Sequence, residues 1–194
     1  MELALDLNER YSFADYLTWL DDKRRELVNG FIMLMAGPST SHSVASSNLH
    51  YYFKHYIKKH KGHCSVHHAP FDVRLPKNGE KDDKDIYTVV QPDVCIICDL
   101  SKLEERGCLG APDFIAEVIS PSNITYDTRV KYNLYQSAGV KEYWIVEPKN
   151  KFVEVNVLQD DGKYGDPIIF VEEGDVAVTT LPGLTISLSD IFEN

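Results

Sequence analysis

Two acidic residues lie inside segments that otherwise read as buried β-strands. Asp93 begins an apolar segment that runs to Cys98, and Glu117 lies in the middle of the apolar segment 113–120. A carboxylate among Ile and Val side chains is costly unless it is paired or binds a cation. Two such carboxylates on neighbouring strands could hold a hard divalent ion such as Mg²⁺, which prefers oxygen ligands. The alternative is structural: Asp93 only starts a strand, and Glu117 forms a buried salt bridge.

A third group of residues follows Glu117 along the chain. Asp127, Lys131 and Tyr135 recur at four-residue spacing on a predicted helix, and therefore share one helix face. Because only a short loop, residues 120–122, separates this helix from the Glu117 strand, Lys131 could direct its ammonium at the same site. The alternative is a surface ion pair between Asp127 and Lys131, which contributes little to stability. Tyr135 could bond a phosphate or the lysine, or be a half-buried core residue.

The histidines and cysteines give weaker signals for a metal site. Cys95 and Cys98 have the spacing of half a zinc site, but positions three apart in a strand point to opposite faces. The seven histidines include no zinc-protease motif. His42, at the start of a predicted long helix, could contact a phosphate, or could equally cap the helix or lie in the core.

A basic run ends the same predicted helix. Lys54, Lys58, Lys59 and Lys61 could form a patch that binds the DNA backbone. A solvated helix end is the commoner explanation of such a run.

Hydrophobic periodicity and turn residues predict an α/β arrangement around one central sheet. Asn29-Gly30 between apolar residues predicts a hairpin with a two-residue turn. The predicted helices span residues 12–21, 39–61 and 123–138. The other predicted strands span residues 66–75, 89–98, 113–120, 142–146, 151–158, 168–172 and 175–178, and a short segment, 188–192, closes the chain.

Length and charge limit the class of protein. The chain has 194 residues, which fits a single domain over residues 1–194, and a net charge of −10. A field of that sign repels phosphates, so any nucleic-acid surface must be a local basic patch. Apolar runs are far shorter than the ~20 residues that span a bilayer, and the first residues do not resemble a signal peptide. We therefore expect a cytoplasmic protein with no membrane partner, whose four cysteines need no disulfide framework.

A series of short motifs follows one another in a specific order. They are Glu-Leu-Val-Asn-Gly (26–30), Met-Ala-Gly-Pro-Ser (35–39), His42, Gln-Pro-Asp (91–93), Gly-Ala-Pro-Asp (110–113), Glu-Val-Ile-Ser-Pro-Ser (117–122), Lys131, Tyr135, Ala-Gly-Val (138–140) and Glu-Tyr-Trp-Ile-Val (142–146). Each motif alone is weak, but the ordered set resembles the Uma family, whose members are described as restriction endonucleases of the PD-(D/E)XK nuclease superfamily. The match runs from about residue 11 to residue 158 and into the C-terminal strands.

The resemblance implies a fold and an activity. The fold is restriction-endonuclease-like, with a central mixed sheet flanked by helices and additional N- and C-terminal strands. The activity is cleavage of DNA phosphodiesters with Mg²⁺ or Mn²⁺ as cofactor, and we expect a homodimer. Two other classes stay open: a catalytically silent relative that binds nucleic acid or a protein, and a metal-dependent hydrolase of another substrate. A lysine out of reach of the carboxylates would favour the silent relative.

The resemblance also assigns roles to individual residues. Asp93 matches the first acid of the superfamily motif and Glu117 the second, and both would bind the metal together with the carbonyl of Val118. The superfamily's lysine lies two residues after the second acid, where this chain has Ile119.

Lys131 on the following helix is therefore the candidate catalytic lysine. Glu26 resembles an upstream catalytic acid, although it could equally be an exposed hairpin acid beside Arg24 and Arg25. His42 and Tyr135 are candidate contacts to the substrate phosphate.

Overall fold

The structure is a computed structural model that describes residues 5–21, 23–35, 37–119 and 126–193, without the side chains of residues 126 and 127. The helices are α1 (Phe13–Tyr16), α2 (Thr40–Lys59), α3 (Tyr132–Ala138) and α4 (Leu188–Phe192). The strands are β1 (Arg25–Val28), β2 (Phe31–Leu34), β3 (Ser65–His68), β4 (Val73–Arg74), β5 (Val89–Val90), β6 (Val94–Ile97), β7 (Leu103–Glu104), β8 (Gly107–Leu109), β9 (Phe114–Val118), β10 (Glu142–Glu147), β11 (Phe152–Val157), β12 (Ile168–Val171), β13 (Asp175–Ala177) and β14 (Thr185–Ser187).

The strands form two six-stranded sheets and one two-stranded ribbon. The first sheet has the order β2-β1-β5-β4-β8-β7, and the second has the order β12-β11-β10-β9-β6-β3. Both are mixed, since β9 and β10 pair in parallel in the second sheet and β4 and β8 do so in the first. The predicted α/β class is confirmed. The prediction of one central sheet is incomplete, because strands between residues 25 and 109 also build the separate first sheet.

Two segments predicted as single strands are divided between the sheets. Residues 66–75 form β3 in the second sheet and β4 in the first, with Pro70 between them. Residues 89–98 form β5 in the first sheet and β6 in the second, with Pro92 between them. Proline has no N–H to donate to a ladder, which favours a break at these points. Asp93 directly follows the second break, where the chain passes from one sheet to the other.

Local sequence signals explain the turns and helix ends near the site. Asn29 and Gly30 have φ values of 52° and 90°, as a two-residue hairpin turn between β1 and β2 requires. The Ser39 side chain accepts a hydrogen bond from the His42 N–H and caps α2. Gly139 ends α3 in the left-handed conformation. The first helix is shorter than predicted, and the helix predicted from residue 123 lies partly outside the described residues.

The helix that carries Lys131 begins irregularly. Residues 126–131 (Tyr126–Lys131) form a wide π-helical turn that continues into α3. The loop 120–122 and the side chain of Asp127 lie outside the described residues. Lys131 is the last residue of this turn and Tyr135 lies four residues later in α3, so the predicted spacing crosses the junction between the two.

The two faces of the second sheet contribute to different cores. Phe53 of α2 packs on Phe114 and Trp144, with ring centroids 4.9 and 6.1 Å apart. The opposite face, which includes Ile115 and Ile119, packs in the cluster that also holds residues of the first sheet. Glu117 is two residues from each of them along the chain and therefore shares their face, in the apolar layer between the sheets.

The cysteines were expected to form no disulfide framework, but the structure contains a disulfide. Cys64 and Cys98 are joined by a disulfide. The register that pairs Ser65 with Ile97 brings the next two residues, Cys64 and Cys98, opposite each other. Cys95 and Cys108 are buried thiols. Among the described residues, every helix is too short or too polar to cross a bilayer.

Candidate active site

Asp93 and Glu117 come together at the end of two adjacent strands. β6 and β9 pair antiparallel, with Val94 opposite Ala116. One residue further in the same register, Asp93 lies opposite Glu117, so that the two side chains share one side of the sheet. The N–H of Val118 donates to Asp93 Oδ2 at 2.8 Å, and both acids line one cleft. The sheet register thus gives the adjacency that the sequence predicts.

Lys131 reaches this pair from the helix rather than from the strand. Its Nζ donates to Glu117 Oε1 at 2.8 Å and to Glu26 Oε1 at 3.0 Å. The Lys131 side chain is only 3% exposed, which excludes the surface ion pair considered for it. Ile119, at the superfamily's usual lysine position, is buried in the apolar layer. A lysine is therefore within reach of the carboxylates, and the criterion that would favour a silent relative is not met.

Tyr135 supports the same carboxylate one turn later. Its hydroxyl donates to Glu117 Oε1 at 2.6 Å, and the side chain is fully buried. Burial and the neighbouring Glu117 carboxylate raise the pKa of Tyr135 well above its ordinary value. The ring has no exposed surface and its hydroxyl holds Glu117 in place, while the predicted contact with a substrate phosphate stays untested.

Glu26 is a buried member of the same cluster. Its side chain is 1% exposed, so the alternative of an exposed hairpin acid is wrong. Glu26 Oε1 accepts hydrogen bonds from the Gln91 N–H at 2.8 Å and from Lys131. The nearby arginines have other partners, since Arg25 pairs with Asp21 and Arg24 donates to Gln91 Oε1 at 3.1 Å.

His42 lies beside Asp93 at the first turn of α2. Its Nε2 is 3.1 Å from Asp93 Oδ2. Its Nδ1 is buried and has no hydrogen-bond partner among the described residues. The predicted phosphate contact is untested, but the ring is in the cleft and contacts the first acid directly.

Gln91 organises the residues behind the site, a role that sequence reasoning did not assign. Its N–H binds Glu26, and its side-chain Nε2 donates to Asp72 Oδ1 at 2.9 Å. Tyr16 joins this network, and burial together with Asp72 raises the pKa of Tyr16 to about 12. Burial also raises the pKa of Asp72. The Gln-Pro-Asp motif thus contacts Glu26 through its first residue and supplies Asp93 as its third.

The cleft has a volume of about 410 Å³. Its walls are the β1–β2 hairpin, the N-terminal half of α2, and the ends of β6 and β9. The lining residues that sequence analysis did not predict include Arg24, Ser43, Ser46, Ser47, His50 and His68. For Ser46 and His50 a signal was available in the sequence. Both follow His42 at four-residue spacing along α2, and such positions share one helix face.

The donor set fits a hard divalent cation. Asp93, Glu117 and Glu26 supply three carboxyl groups against the ammonium of Lys131. Within the described part of the chain, these acids do not bring three ligand atoms within 4.8 Å of one another. An ion would therefore combine one or two carboxylates with a main-chain carbonyl and waters, as Mg²⁺ typically does.

A second group of potential ligands lies elsewhere. His63, Cys64 and Cys98 place their ligand atoms within 4.8 Å of one another. The two sulfurs are bonded to each other as a disulfide, so this group is not a zinc site in the oxidised protein.

Comparison with known proteins gives a family and a fold. The sequence model of the Uma2 family, described as "Putative restriction endonuclease", matches residues 13–189. The chain is 27% identical over 158 residues to an uncharacterized protein of Synechocystis sp., which covers 80% of this chain and 78% of that protein. The structure of this chain is similar to the crystal structure of a "putative nuclease belonging to DUF820" from Anabaena variabilis. That similarity has a TM-score of 0.73 and 19% identity, over 94% of this chain and 97% of the other.

Proposed function

The chain belongs to the Uma2 family, and on that premise we propose that it is a metal-dependent endonuclease that hydrolyses phosphodiester bonds of DNA. The proposed catalytic residues are Asp93, Glu117, Lys131 and Glu26. The proposed cofactor is Mg²⁺ or Mn²⁺.

One observation carries the proposal. Asp93, Glu117 and Lys131 come from three separate segments of the chain and meet in one cleft, with Lys131 Nζ 2.8 Å from Glu117 Oε1. A salt bridge that only stabilised the core would not need Asp93 opposite Glu117 or an opening to solvent. Clustered ionisable groups that line one cleft are typical of catalytic sites.

The residues of the cleft would have separate roles in phosphodiester hydrolysis. A divalent ion held by Asp93, Glu117 and the Val118 carbonyl would supply Lewis-acid polarisation of the phosphoryl oxygen and a more acidic water. The Lys131 ammonium would stabilise negative charge that develops on the phosphoryl group. Glu26 and Glu117 hold this ammonium through hydrogen bonds, which fixes its position before substrate binds.

Other side chains orient the acids. Tyr135 donates to Glu117, and His42 contacts Asp93. His42 also lines the cleft and remains the candidate for a substrate-phosphate contact. Hydrogen-bonded supporting groups of this kind set the orientation of metal-binding carboxylates.

A nicking assay on supercoiled plasmid with Mg²⁺ or Mn²⁺ tests the proposal. We expect Asp93→Asn and Glu117→Gln to abolish nicking, and Lys131→Ala to slow it by about 100–1000-fold, the typical loss for one preorganised donor. Lys141→Ala is the control and should nick at the wild-type rate, because Lys141 pairs with Asp113 at the surface. Circular dichroism confirms that each variant is folded at the assay temperature. Wild-type rates in Asp93→Asn would refute the assignment.

Two parts of the proposal come from the sequence alone. The homodimer and the cytoplasmic location stay predictions. Light scattering coupled to size-exclusion chromatography tests the first, and fractionation of the native host tests the second.

A further inference from the structure

We propose that the groove between α2 and β3 binds the phosphate backbone of the nucleic-acid strand beside the cleavage site. This α2–β3 groove has a volume of about 600 Å³, and its lining residues include His50, Lys54, Lys58, His67 and Phe71. The inference rests on the proposed function for the class of substrate. It goes beyond that function by assigning the surface along which the strand leaves the cleft.

The sequence concentrates positive charge in the segment that builds this groove. Residues 27–71 contain no aspartate or glutamate, although the whole chain has 30. The four lysines of this segment carry its positive charge at pH 7, and the segment also holds all seven histidines of the chain. In a chain with a net charge of −10, this segregation produces the local basic patch that phosphate binding requires.

The groove is continuous with the candidate active site. His50 and His68 line both the catalytic cleft and the α2–β3 groove. Their rings meet edge to face, with centroids 4.7 Å apart. A strand whose phosphate lies at Asp93 and Glu117 therefore reaches the groove directly at these two histidines.

Helix α2 forms one wall with basic and small polar residues at regular spacing. His42, Ser46, His50, Lys54 and Lys58 follow one another every four residues, in a stripe that winds slowly around the helix. The rise of 1.5 Å per residue makes this stripe about 24 Å long. Because each strand of duplex DNA has one phosphate per about 3.4 Å of axis, the stripe can serve several nucleotides.

The lysines of the groove are available to a ligand. Lys54 and Lys58 are exposed, and neither forms an ion pair with a carboxylate in the part of the chain that the structure describes. Burial is the main cause that lowers the pKa of both His50 and His67, so at neutral pH the positive charge of the groove comes from its lysines. The positive potential of the groove is thus not cancelled by nearby acids, which distinguishes it from an ordinary solvated helix end.

The opposite wall offers flat rings. His67 of β3 stacks on Phe71, with ring centroids 4.1 Å apart and planes inclined by 17°. Rings beside a basic track are the arrangement with which proteins bind single strands without sequence preference, since every base has a face to stack. The groove therefore suits one strand with accessible bases better than a protein partner.

Binding to labelled DNA in EDTA tests this inference without cleavage. Fluorescence anisotropy would be measured with a single-stranded oligonucleotide and with its duplex, between about 50 and 200 mM salt. The double variant Lys54→Gln/Lys58→Gln should bind both DNAs roughly tenfold more weakly or worse. The slope of log affinity against log salt should fall by about 1 for each lysine removed.

The matched control is Lys59→Gln/Lys61→Gln. It removes the same charge at and just beyond the C-terminal end of α2, at two exposed residues that do not line the groove. We expect a smaller loss of affinity and an unchanged salt slope. Equal losses in the two double variants, wild-type binding by the groove variant, or no binding by the wild-type protein at low salt would each overturn the proposal.

The assay separates this inference from the proposed hydrolysis. Groove-dependent binding without nicking by any preparation would support the groove and refute the nuclease chemistry. Nicking by a groove variant that binds DNA normally would support the chemistry and refute the groove.

Discussion

Lys131 is a buried cation of the cleft. It is 3% exposed and its ammonium contacts two buried carboxylates, Glu26 and Glu117. Two buried carboxylates close to one ammonium are stable only while the cation is present, because an uncompensated buried charge is costly. The same residue is therefore a candidate for catalysis and contributes to the stability of the fold.

Removal of the Lys131 charge should destabilise the protein. We expect Lys131→Met to lower the free energy of unfolding by about 3–5 kcal/mol, because it leaves Glu26 and Glu117 without their shared cation. Urea denaturation measures the change. Lys151→Met is the matched control, since Lys151 pairs with Glu193 in an exposed bridge and should cost at most about 1 kcal/mol.

A compensating substitution distinguishes charge from packing. Adding Glu26→Gln to Lys131→Met should recover part of the lost stability, because one of the two carboxylates that share the Lys131 ammonium becomes neutral. No recovery in the double variant would show that packing of the lysine stem, rather than its charge, accounts for the loss.

Divalent ions should stabilise the native protein through the same cleft. A ligand that binds only the native state raises the melting temperature, and we expect Mg²⁺ and Mn²⁺ to do so in scanning calorimetry. Asp93→Asn should remove most of this rise. Asp113→Asn is the control, because Asp113 pairs with Lys141 away from the cleft. An equal rise in Asp93→Asn and wild type would place the ion elsewhere.

At the scale of elements, the crossings between sheets position the site. Pro92 separates β5 from β6, and the residues on its two sides are Gln91, which binds Glu26, and Asp93, which faces the cleft. The second crossing, between β3 and β4, contains Asp72, which accepts a hydrogen bond from Gln91. The two crossings are thus tied together by side-chain hydrogen bonds behind the catalytic residues.

Gly107 on β8 fixes the position of this second crossing. A Cβ at residue 107 would lie 2.1 Å from the backbone oxygen of Asp72, and its φ is +101°. We expect Gly107→Ala to destabilise the protein by more than the ~1–2 kcal/mol of backbone strain alone, since the Asp72 backbone must move. The measurement is urea denaturation.

Gly162→Ala is the control for backbone strain without a clash. Gly162 has a φ of +77° and open space around the added Cβ. Equal losses at residues 107 and 162 would show that the approach to Asp72 has no consequence. A larger loss at residue 107, with reduced nicking, would link this crossing to the site.

At the scale of the whole molecule, charge is distributed unevenly along the chain. The acid-free residues 27–71 supply α2 and β3, whereas all 30 acids lie outside this segment. The net charge of −10 therefore describes the average of two different surfaces. A protein with this distribution repels nucleic acid over most of its surface and attracts it at one groove, which orients the encounter.

The histidines of the groove should make stability depend on pH. Burial, with the charges of Lys54 and His68, lowers the pKa of His50 and His67 below the ordinary 6.5. The unfolded chain then binds more protons than the native protein as the pH falls through 6.5, so the free energy of unfolding decreases toward acid. Above that pH the effect is absent.

Urea denaturation at a series of pH values measures this dependence. His50→Gln/His67→Gln should flatten the loss between pH 7 and the onset of carboxylate titration. His55→Gln/His60→Gln is the control, because both of those rings are exposed on α2. Identical slopes in the two double variants would contradict the assignment. Bound DNA should reduce the slope, since phosphates favour the charged rings.

The sequence by itself determined the local elements and the identity of the acids. The Asn29-Gly30 turn and the end of the helix at Gly139 depend on neighbouring residues only, and the structure confirms both. Asp93 and Glu117 could be singled out because a carboxylate in an apolar strand is costly wherever the strand lies. The ordered motifs gave the family.

Only the tertiary structure decided which residues meet. Segments that the sequence predicts as single strands, such as 89–98, are divided between two sheets. The pairing of each half depends on partners far along the chain. The burial of Glu26, its bond to Lys131, and the junction of the cleft with the α2–β3 groove all join residues separated by tens of positions. Spacing along a sequence predicts which residues share a helix or strand face, whereas contacts between elements arise from packing of the whole chain.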